Sequence, residues 1–179
     1  MHDGLPIQAT ATQVSREVLQ ALRQWVKTHF GIVFTEDQHD LFRTRIEGFC
    51  RELGVGPEVV LARTISGDRA LMLRLAEAVS TNHTFFFREA EIFTHFAQEV
   101  LPLYASEPLR IWSAASSSGD EAYTVAMLCR ERFGEDARSR VKILGTDISE
   151  RQLRAAEQGF FPLHQLGQLP GDRLSRWFR

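Results

Sequence analysis

The sequence is poor in cysteine and has no long apolar run. It contains two cysteines, Cys50 and Cys129, each alone in a helix-like stretch. A disulfide framework is therefore not expected, and both residues are interpreted as reduced thiols of a cytoplasmic protein. No segment approaches the roughly 18 consecutive apolar residues that a membrane span requires, so membrane insertion is not expected. Residues 1–13 lack the basic start and apolar run of a secretory signal.

An excess of basic residues is also missing. The chain has 21 Lys and Arg against 23 Asp and Glu, which gives a net charge of −2. Nucleic-acid binding usually requires a strongly basic face, so a nucleic-acid partner is not expected. The 179 residues, of which 44% are hydrophobic and 25% charged, are typical of an ordinary globular protein with one large domain or two small ones.

Apolar residues at helical spacing occupy most of the first 80 positions. The predicted helices cover residues 15–30, 37–53, 57–65 and 69–79. Ser15 is expected to cap the first helix, and Gly31 and Gly54 are expected to end the first and second. Residues 1–80 are therefore predicted to form an all-α amino-terminal domain.

The pattern changes after Thr84. Residues 81–108 are interpreted as a junction segment with one helix, predicted over Glu89–Leu101. The chain then alternates between a strand LRIW, a small-residue turn, a helix over 120–133, a strand VKIL and a helix over 149–158. Such alternation is typical of a parallel sheet with crossover helices. Residues 159–179 show no clear periodicity.

The turn Ser113–Gly119 and the acid Asp147 are the first candidate ligand-binding features. Ligands of open parallel sheets bind beyond the carboxyl ends of the strands, where small residues allow close approach and a helix N-terminus offers free N–H groups. The alternative is that this turn binds no ligand and only packs the strand against the helix. Asp147 would stand at the end of the second strand, where a carboxylate can accept hydrogen bonds from two ribose hydroxyls. The alternative is that Asp147 caps the helix beginning near Ser149, and the two roles are compatible with each other.

A third candidate feature is the segment of residues 81–89, with the sequence TNHTFFFRE. Its three rings are most simply interpreted as core or as the apolar wall of a pocket. Arg88 is then a surface arginine whose aliphatic stem lies along apolar side chains. The first two features, the turn Ser113–Gly119 and Asp147, together favour an adenosine-containing ligand.

These three segments resemble motifs of one family, the chemoreceptor glutamate methyltransferases known as CheR proteins. The family's junction motif is matched by TNHTFFFRE, its first strand and ligand loop by LRIWSAASSSGDEAYTVAMLCRE, and its second strand and ribose-binding acid by ILGTDISERQLRAAEQGFF. The motifs fall in the family's order, and the resemblance covers about Phe30 to Arg179. It implies an all-α amino-terminal domain followed by an incomplete α/β Rossmann-like methyltransferase domain with a parallel sheet. Residues 109–179 would be the first part of that domain, which binds S-adenosylmethionine.

The resemblance also implies a reaction and its site. Glutamate side chains of chemotaxis receptors would be converted to glutamyl methyl esters, with S-adenosylhomocysteine as the second product and no metal. The contacts to the methyl donor would fall on Asn82, Thr84, Arg88, Glu121 and Asp147. Glu121 would pair with the donor's amino group, although an acid in a first helical turn is favourable without any ligand. Arg88 would lie near the reacting centre as the catalytic residue, with holding the donor or steering the glutamate as alternative roles.

The chain departs from the family pattern in composition and in length. Asp120 precedes Glu121 where two glutamates are usual, Ala122 replaces a typical proline, and relatives continue with further strands. An incomplete sheet leaves an apolar edge, so self-association or a carboxyl-terminal segment supplied elsewhere is expected. A non-catalytic donor-binding or receptor-binding module is the alternative function. An oxidoreductase is disfavoured because the turn lacks the glycine triplet of dinucleotide sites.

A candidate docking face for the receptor's cytoplasmic helices lies on the second predicted helix. It consists of Arg43, Arg45 and Arg51, which would attract an acidic partner helix. A basic face of this kind is also often only solvated.

Overall fold

The computed structural model describes residues 15–166, 169 and 171–179, and it divides into two compact units between Ser80 and Thr81. The expectation that the first 13 residues carry no secretory signal lies outside the described residues. No helix within the described ranges is both long enough and apolar enough to cross a membrane.

The described part of the first unit is helical, as the apolar spacing predicted. Its helices are α1 (Arg16–Phe30), α2 (His39–Leu53), α3 (Pro57–Ile65) and α4 (Arg69–Val79). The hydroxyl of Ser15 accepts a hydrogen bond from the Val18 N–H and caps α1. Gly31 and Gly54 end α1 and α2 in the left-handed conformation, so the predicted start and stops are confirmed. A single 3-10 turn, Glu36–Gln38, precedes α2 where the sequence predicted α-helix.

The apolar faces of these four helices meet in one core. Its fully buried members include Leu22, Val26, Phe42, Ile46, Val60, Leu75 and Val79. The first unit therefore has a hydrophobic core of its own. Burial of one such side chain contributes about 1.5–3 kcal/mol to its stability.

The second unit is built on a parallel pair of strands. β1 (Leu109–Ala114) and β2 (Val141–Thr146) pair in register from Leu109 opposite Val141 to Ala114 opposite Thr146. The connection between them contains α6 (Asp120–Phe133) and the short α7 (Ala137–Arg140), and α8 (Glu150–Gln158) follows β2. The predicted fold class is confirmed: a helical region is followed by a Rossmann-like α/β region with a parallel sheet.

The two faces of this sheet have different surroundings. One face packs Leu109 against Leu128 and Cys129 of α6. On the other face, Trp112 is 69% exposed and Leu144 is 61% exposed. The self-association expected at the apolar edge of the incomplete sheet stays a prediction, and an exposed apolar face of this kind favours it.

The helix predicted over Glu89–Leu101 is not regular, so this prediction was partly wrong. The segment starts as α5 (Ala90–His95), widens into a π-helical turn (Phe96–Val100) and tightens into a 3-10 turn (Leu101–Tyr104). Pro102 accounts for the change, because it lacks an N–H and its ring collides with the carbonyl of the residue four positions earlier.

The carboxyl-terminal residues contain structure that the sequence did not indicate. A 3-10 turn (Leu163–Gln165) precedes α9 (Gly171–Trp177). Phe161, Leu174 and Phe178 pack around the fully buried Phe86. A helix of seven residues spans barely two turns, which is too short to show a repeating apolar pattern.

Candidate functional site

The candidate site lies where β1 and β2 end side by side. Because the strands are parallel and in register, the loop after β1 and Asp147 after β2 emerge at the same edge of the sheet. Asp147 Oδ2 accepts a hydrogen bond from the Ser117 N–H at 2.8 Å, and its Oδ1 accepts one from the Ser149 N–H at 2.9 Å. The carboxylate therefore ties the two segments together. It has further lone pairs with which to accept ligand hydroxyls.

The alternative role of Asp147 as a helix cap is wrong. The N-cap of α8 is Ser149, whose hydroxyl accepts a hydrogen bond from the Gln152 N–H at 3.2 Å. Asp147 is thus free of the capping role, and its position at the end of β2 agrees with the sequence prediction.

Backbone strain is concentrated in the two predicted ligand segments. Among the described residues, the non-glycine positions with positive φ are Phe87 at 56°, Glu89 at 60°, Ala115 at 58° and Ser117 at 49°. This conformation costs about 1–2 kcal/mol per residue. Such strain persists only where the surroundings enforce it, and it clusters at functional sites.

The loop after β1 also contains buried polar atoms without a hydrogen-bond partner. They are Ser116 Oγ, Ser117 Oγ and Asp120 Oδ1. The side chain of Asp120 is fully buried, and its other oxygen accepts a hydrogen bond from the Ser118 hydroxyl at 2.6 Å. A buried polar atom left unpaired costs about 1–3 kcal/mol, so these atoms suit a polar ligand.

Two glycines allow the loop to pack closely. Gly119 has φ +90°, and a Cβ added there would lie 3.0 Å from the Ala156 Cβ. A Cβ added to Gly145 would lie 2.9 Å from the Ser116 Oγ, which is closer than real contacts allow. Sequence reasoning missed Gly145, because its neighbour in space is 29 positions earlier in the chain.

Glu121 stands in the first turn of α6, directly beyond β1. Its carboxylate accepts a hydrogen bond from the hydroxyl of Ser113, a buried residue of β1, at 2.7 Å. The positive end of the α6 dipole favours a carboxylate at this position, and the hydrogen bond from Ser113 holds the Glu121 side chain near the strand ends.

The aromatic segment is attached to α6. Phe86 is fully buried, which confirms the interpretation of this ring as core. The Phe87 N–H donates a hydrogen bond to the Thr124 hydroxyl of α6 at 3.1 Å. Arg88 is exposed and donates to the His83 carbonyl at 3.0 Å.

The structure brings the predicted site residues together only in part. Glu121 and Asp147 are both placed at the strand ends. Asn82 and Thr84 are half-buried and Arg88 is exposed; the segment that carries them is attached to α6 by the hydrogen bond from the Phe87 N–H to Thr124, and their part in a donor site stays a prediction. Within the described part of the chain, no group of three or more His, Cys, Asp or Glu residues could hold a metal ion.

The three arginines of α2 do not form one free basic surface. Arg45 is half-buried, donates a hydrogen bond to the Val79 carbonyl and lies with its guanidinium 5.8 Å from the Phe34 ring centroid. Arg43 is exposed and paired with Asp40 of its own helix at 2.9 Å. The assignment of Arg45 to the docking face was wrong, because Arg45 lies on the side of α2 that packs against α4.

Comparison with known proteins agrees with these features. Residues 82–179 match the family model described as CheR methyltransferase, SAM binding domain. The chain is 32% identical to the chemotaxis protein methyltransferase of Borreliella burgdorferi over 167 residues, which are 88% of this chain and 59% of that protein. It is 33% identical to chemotaxis protein methyltransferase 2 of Pseudomonas aeruginosa over 165 residues, 92% of this chain and 59% of that protein. The chain thus spans about six tenths of the length of these curated relatives.

Proposed function

The chain belongs to the CheR methyltransferase family, and from this membership we propose that it is the donor-binding part of a protein-glutamate O-methyltransferase acting on chemotaxis receptors. The methyl donor would be S-adenosylmethionine, and the products would be a glutamyl methyl ester and S-adenosylhomocysteine. The relatives it resembles are chemotaxis protein methyltransferases.

The observation that carries the proposal is the connection between the loop after β1 and Asp147. An adenosyl donor presents two ribose hydroxyls, an amino group and a carboxylate. Asp147 offers acceptors for the hydroxyls, and Glu121 offers a carboxylate for the amino group. The N-terminus of α6 offers N–H groups for the donor's carboxylate. The unpartnered buried atoms of the loop, Asp120 Oδ1 among them, add further polar contacts.

The reaction requires placement more than acid–base catalysis. A glutamate side chain in water has a pKa of about 4.3, so the substrate carboxylate is already ionised at neutral pH. S-adenosylmethionine supplies a methyl group activated by its sulfonium. Alignment of the carboxylate oxygen with that methyl can contribute about 7–11 kcal/mol. The exposed guanidinium of Arg88 would orient the incoming glutamate near the reacting centre, and Asn82 and Thr84 in the same segment would orient the donor's polar edge.

Calorimetric titration of the purified chain tests donor binding. We expect S-adenosylhomocysteine to bind and NAD not to bind. Asp147→Ala should abolish this binding, whereas Asp136→Ala, which removes an exposed carboxylate elsewhere in the same unit, should leave it unchanged. Binding of NAD alone would overturn the proposal.

Methyl transfer is tested with labelled donor and a receptor cytoplasmic fragment. The chain should be compared with a version extended to the full length of its relatives. A glutamyl ester releases labelled methanol on mild base treatment, whereas a methylated nitrogen does not. Arg88→Met should lower the rate. Binding without transfer in both versions would favour the alternative, a non-catalytic donor-binding or receptor-binding module.

Receptor docking through α2 is tested by charge reversal. Since Arg45 is used within its own unit, only Arg43 and Arg51 should be changed to glutamate. We expect receptor methylation by the extended version to fall while affinity for S-adenosylhomocysteine is unchanged. Unchanged methylation would discard this docking surface.

A further inference from the structure

Arg173 of α9 connects α6 with the aromatic segment. Its Nε and Nη2 atoms donate hydrogen bonds to the two carboxylate oxygens of Glu131 on α6, at 2.7 and 2.8 Å. Its guanidinium carbon lies 4.6 Å from the centroid of the Phe87 ring. Both side chains of the ion pair are only 23% exposed. The hydrogen bonds lower the pKa of Glu131 and raise the pKa of Arg173, so both groups are charged at neutral pH.

Phe87 needs such a restraint because its backbone is strained. Its φ of 56° lies in the left-handed region, which costs a bulky residue about 1–2 kcal/mol. The Phe87 N–H is held by the Thr124 hydroxyl, and that hydroxyl donates to the Asp120 carbonyl at 2.7 Å. The ring lies edge-on to Phe93, with 6.0 Å between centroids, and beneath the guanidinium of Arg173.

We propose that Arg173, held by Glu131, is a positioning residue: it keeps Phe87 in the left-handed conformation and thereby sets the direction of Arg88. Arg88 follows Phe87 directly, so any rotation of the Phe87 backbone moves the Arg88 guanidinium. The other contacts of Arg88, to His83 and Glu89, lie within the same segment and move with it. Only the part of this inference that concerns Arg88 at the donor site rests on the proposed function.

Arginine suits this position better than lysine. Its planar fork matches the two carboxylate oxygens while its flat face remains available to the Phe87 ring. A lysine at position 173 would keep the charge but not this combination.

The test uses variants of the full chain and one matched control. Arg173→Met removes the charge and the fork but keeps an apolar stem. Arg173→Lys keeps the charge but loses the fork. The exchanged pair Glu131→Arg with Arg173→Glu restores an ion pair but places a carboxylate near the ring. The control is Arg154→Met, which breaks an exposed ion pair with Glu150 on α8.

Amide hydrogen exchange of Phe87 and Arg88, measured well below the melting temperature, is the first readout. We expect about tenfold faster exchange in Arg173→Met, a smaller increase in Arg173→Lys and none in the control. The exchanged pair should not restore protection. Unchanged exchange in Arg173→Met, an equal increase throughout α6 and β1, or full recovery in the exchanged pair would each overturn the proposal.

A kinetic readout separates positioning from general stability. In the version extended to the relatives' length, Arg173→Met should lower kcat roughly tenfold with little change in KM for the donor, because Arg88 is misplaced. An unchanged kcat would overturn the assignment to Arg88. If the unsubstituted chain binds no donor, the proposed function fails, but hydrogen exchange still decides whether Arg173 restrains Phe87.

Discussion

The substitution Asp147→Asn separates the structural role of this residue from its proposed role in donor binding. In the structure, the two carboxylate oxygens accept hydrogen bonds from the Ser117 and Ser149 N–H groups. Asparagine has almost the same size but only one acceptor oxygen. Its amide NH2 group would therefore face one of these two N–H donors, and that donor would lose its partner.

The expected cost follows from the lost hydrogen bond. Hydrogen bonds to charged groups contribute about 1.5–3 kcal/mol, so Asp147→Asn should destabilise the second unit by a similar amount even without ligand. For a unit the size of Thr81–Arg179 this corresponds to a fall in Tm of roughly 6–24 °C. Asp136→Asn, at an exposed position, should change the free energy of unfolding by less than about 0.5 kcal/mol.

Scanning calorimetry with and without S-adenosylhomocysteine measures both roles. A ligand at 100 times its Kd stabilises the folded state by about 2.7 kcal/mol. We expect this gain for the unsubstituted chain and for Asp136→Asn, and a much smaller gain for Asp147→Asn. A ligand-free Tm within about 2 °C of the unsubstituted chain would refute the tethering argument. An equal ligand-induced gain would refute the assignment of Asp147 to the ribose.

Three further predictions concern the surroundings of the site. Gly119→Ala should lower the free energy of unfolding, measured by denaturant titration, by roughly 1–3 kcal/mol, because the added Cβ would lie 3.0 Å from a side chain of α8. Gly31 also has positive φ but has open space around it, so Gly31→Ala should lower the free energy of unfolding by less. The hydrogen bonds from Arg173 lower the pKa of Glu131 in the folded state. The ion pair therefore stabilises the fold at pH values above the unfolded-state pKa of about 4.3, and this stabilisation is lost as the pH falls through the lower pKa of the folded state. The Tm difference between the unsubstituted chain and Arg173→Met should thus be constant above about pH 5 and shrink at lower pH, and a constant difference at all pH values would contradict this. Burial raises the pKa of Cys129 to about 11, so this thiol should react slowly with disulfide reagents at pH 8 until the chain unfolds; rapid reaction of the native protein would show that it is accessible.

Much of the fold could be predicted because its signals are local. The helices of the first unit follow from apolar spacing, and Ser15 and Gly31 mark the ends of α1 within one turn of the residues they cap. The alternation of strands and helices after Leu109 predicted the parallel pair and placed Asp147 at the end of β2. The regular helix expected before Leu101 failed because Pro102 alters the backbone of the preceding turn.

The candidate site could be predicted less completely. Asp147 and Glu121 could be located from the order of strand, turn and helix. Nothing in a single sequence indicates that Phe87 and Ala115 are left-handed, since neither residue type favours that conformation. The misassignment of Arg45 has a similar origin, because its partner Val79 lies on another helix.

The sequence by itself therefore determined the type and order of most helices and strands before residue 159 and the family to which the chain belongs. These depend on periodicity, capping residues and short motifs, all of which act over a few neighbouring positions. The tertiary structure alone decided which polar groups meet. Asp147 lies 30 positions from Ser117, and Arg173 lies 42 positions from Glu131. These contacts exist because parallel strand pairing and helix packing bring distant segments together, and no local pattern specifies their register.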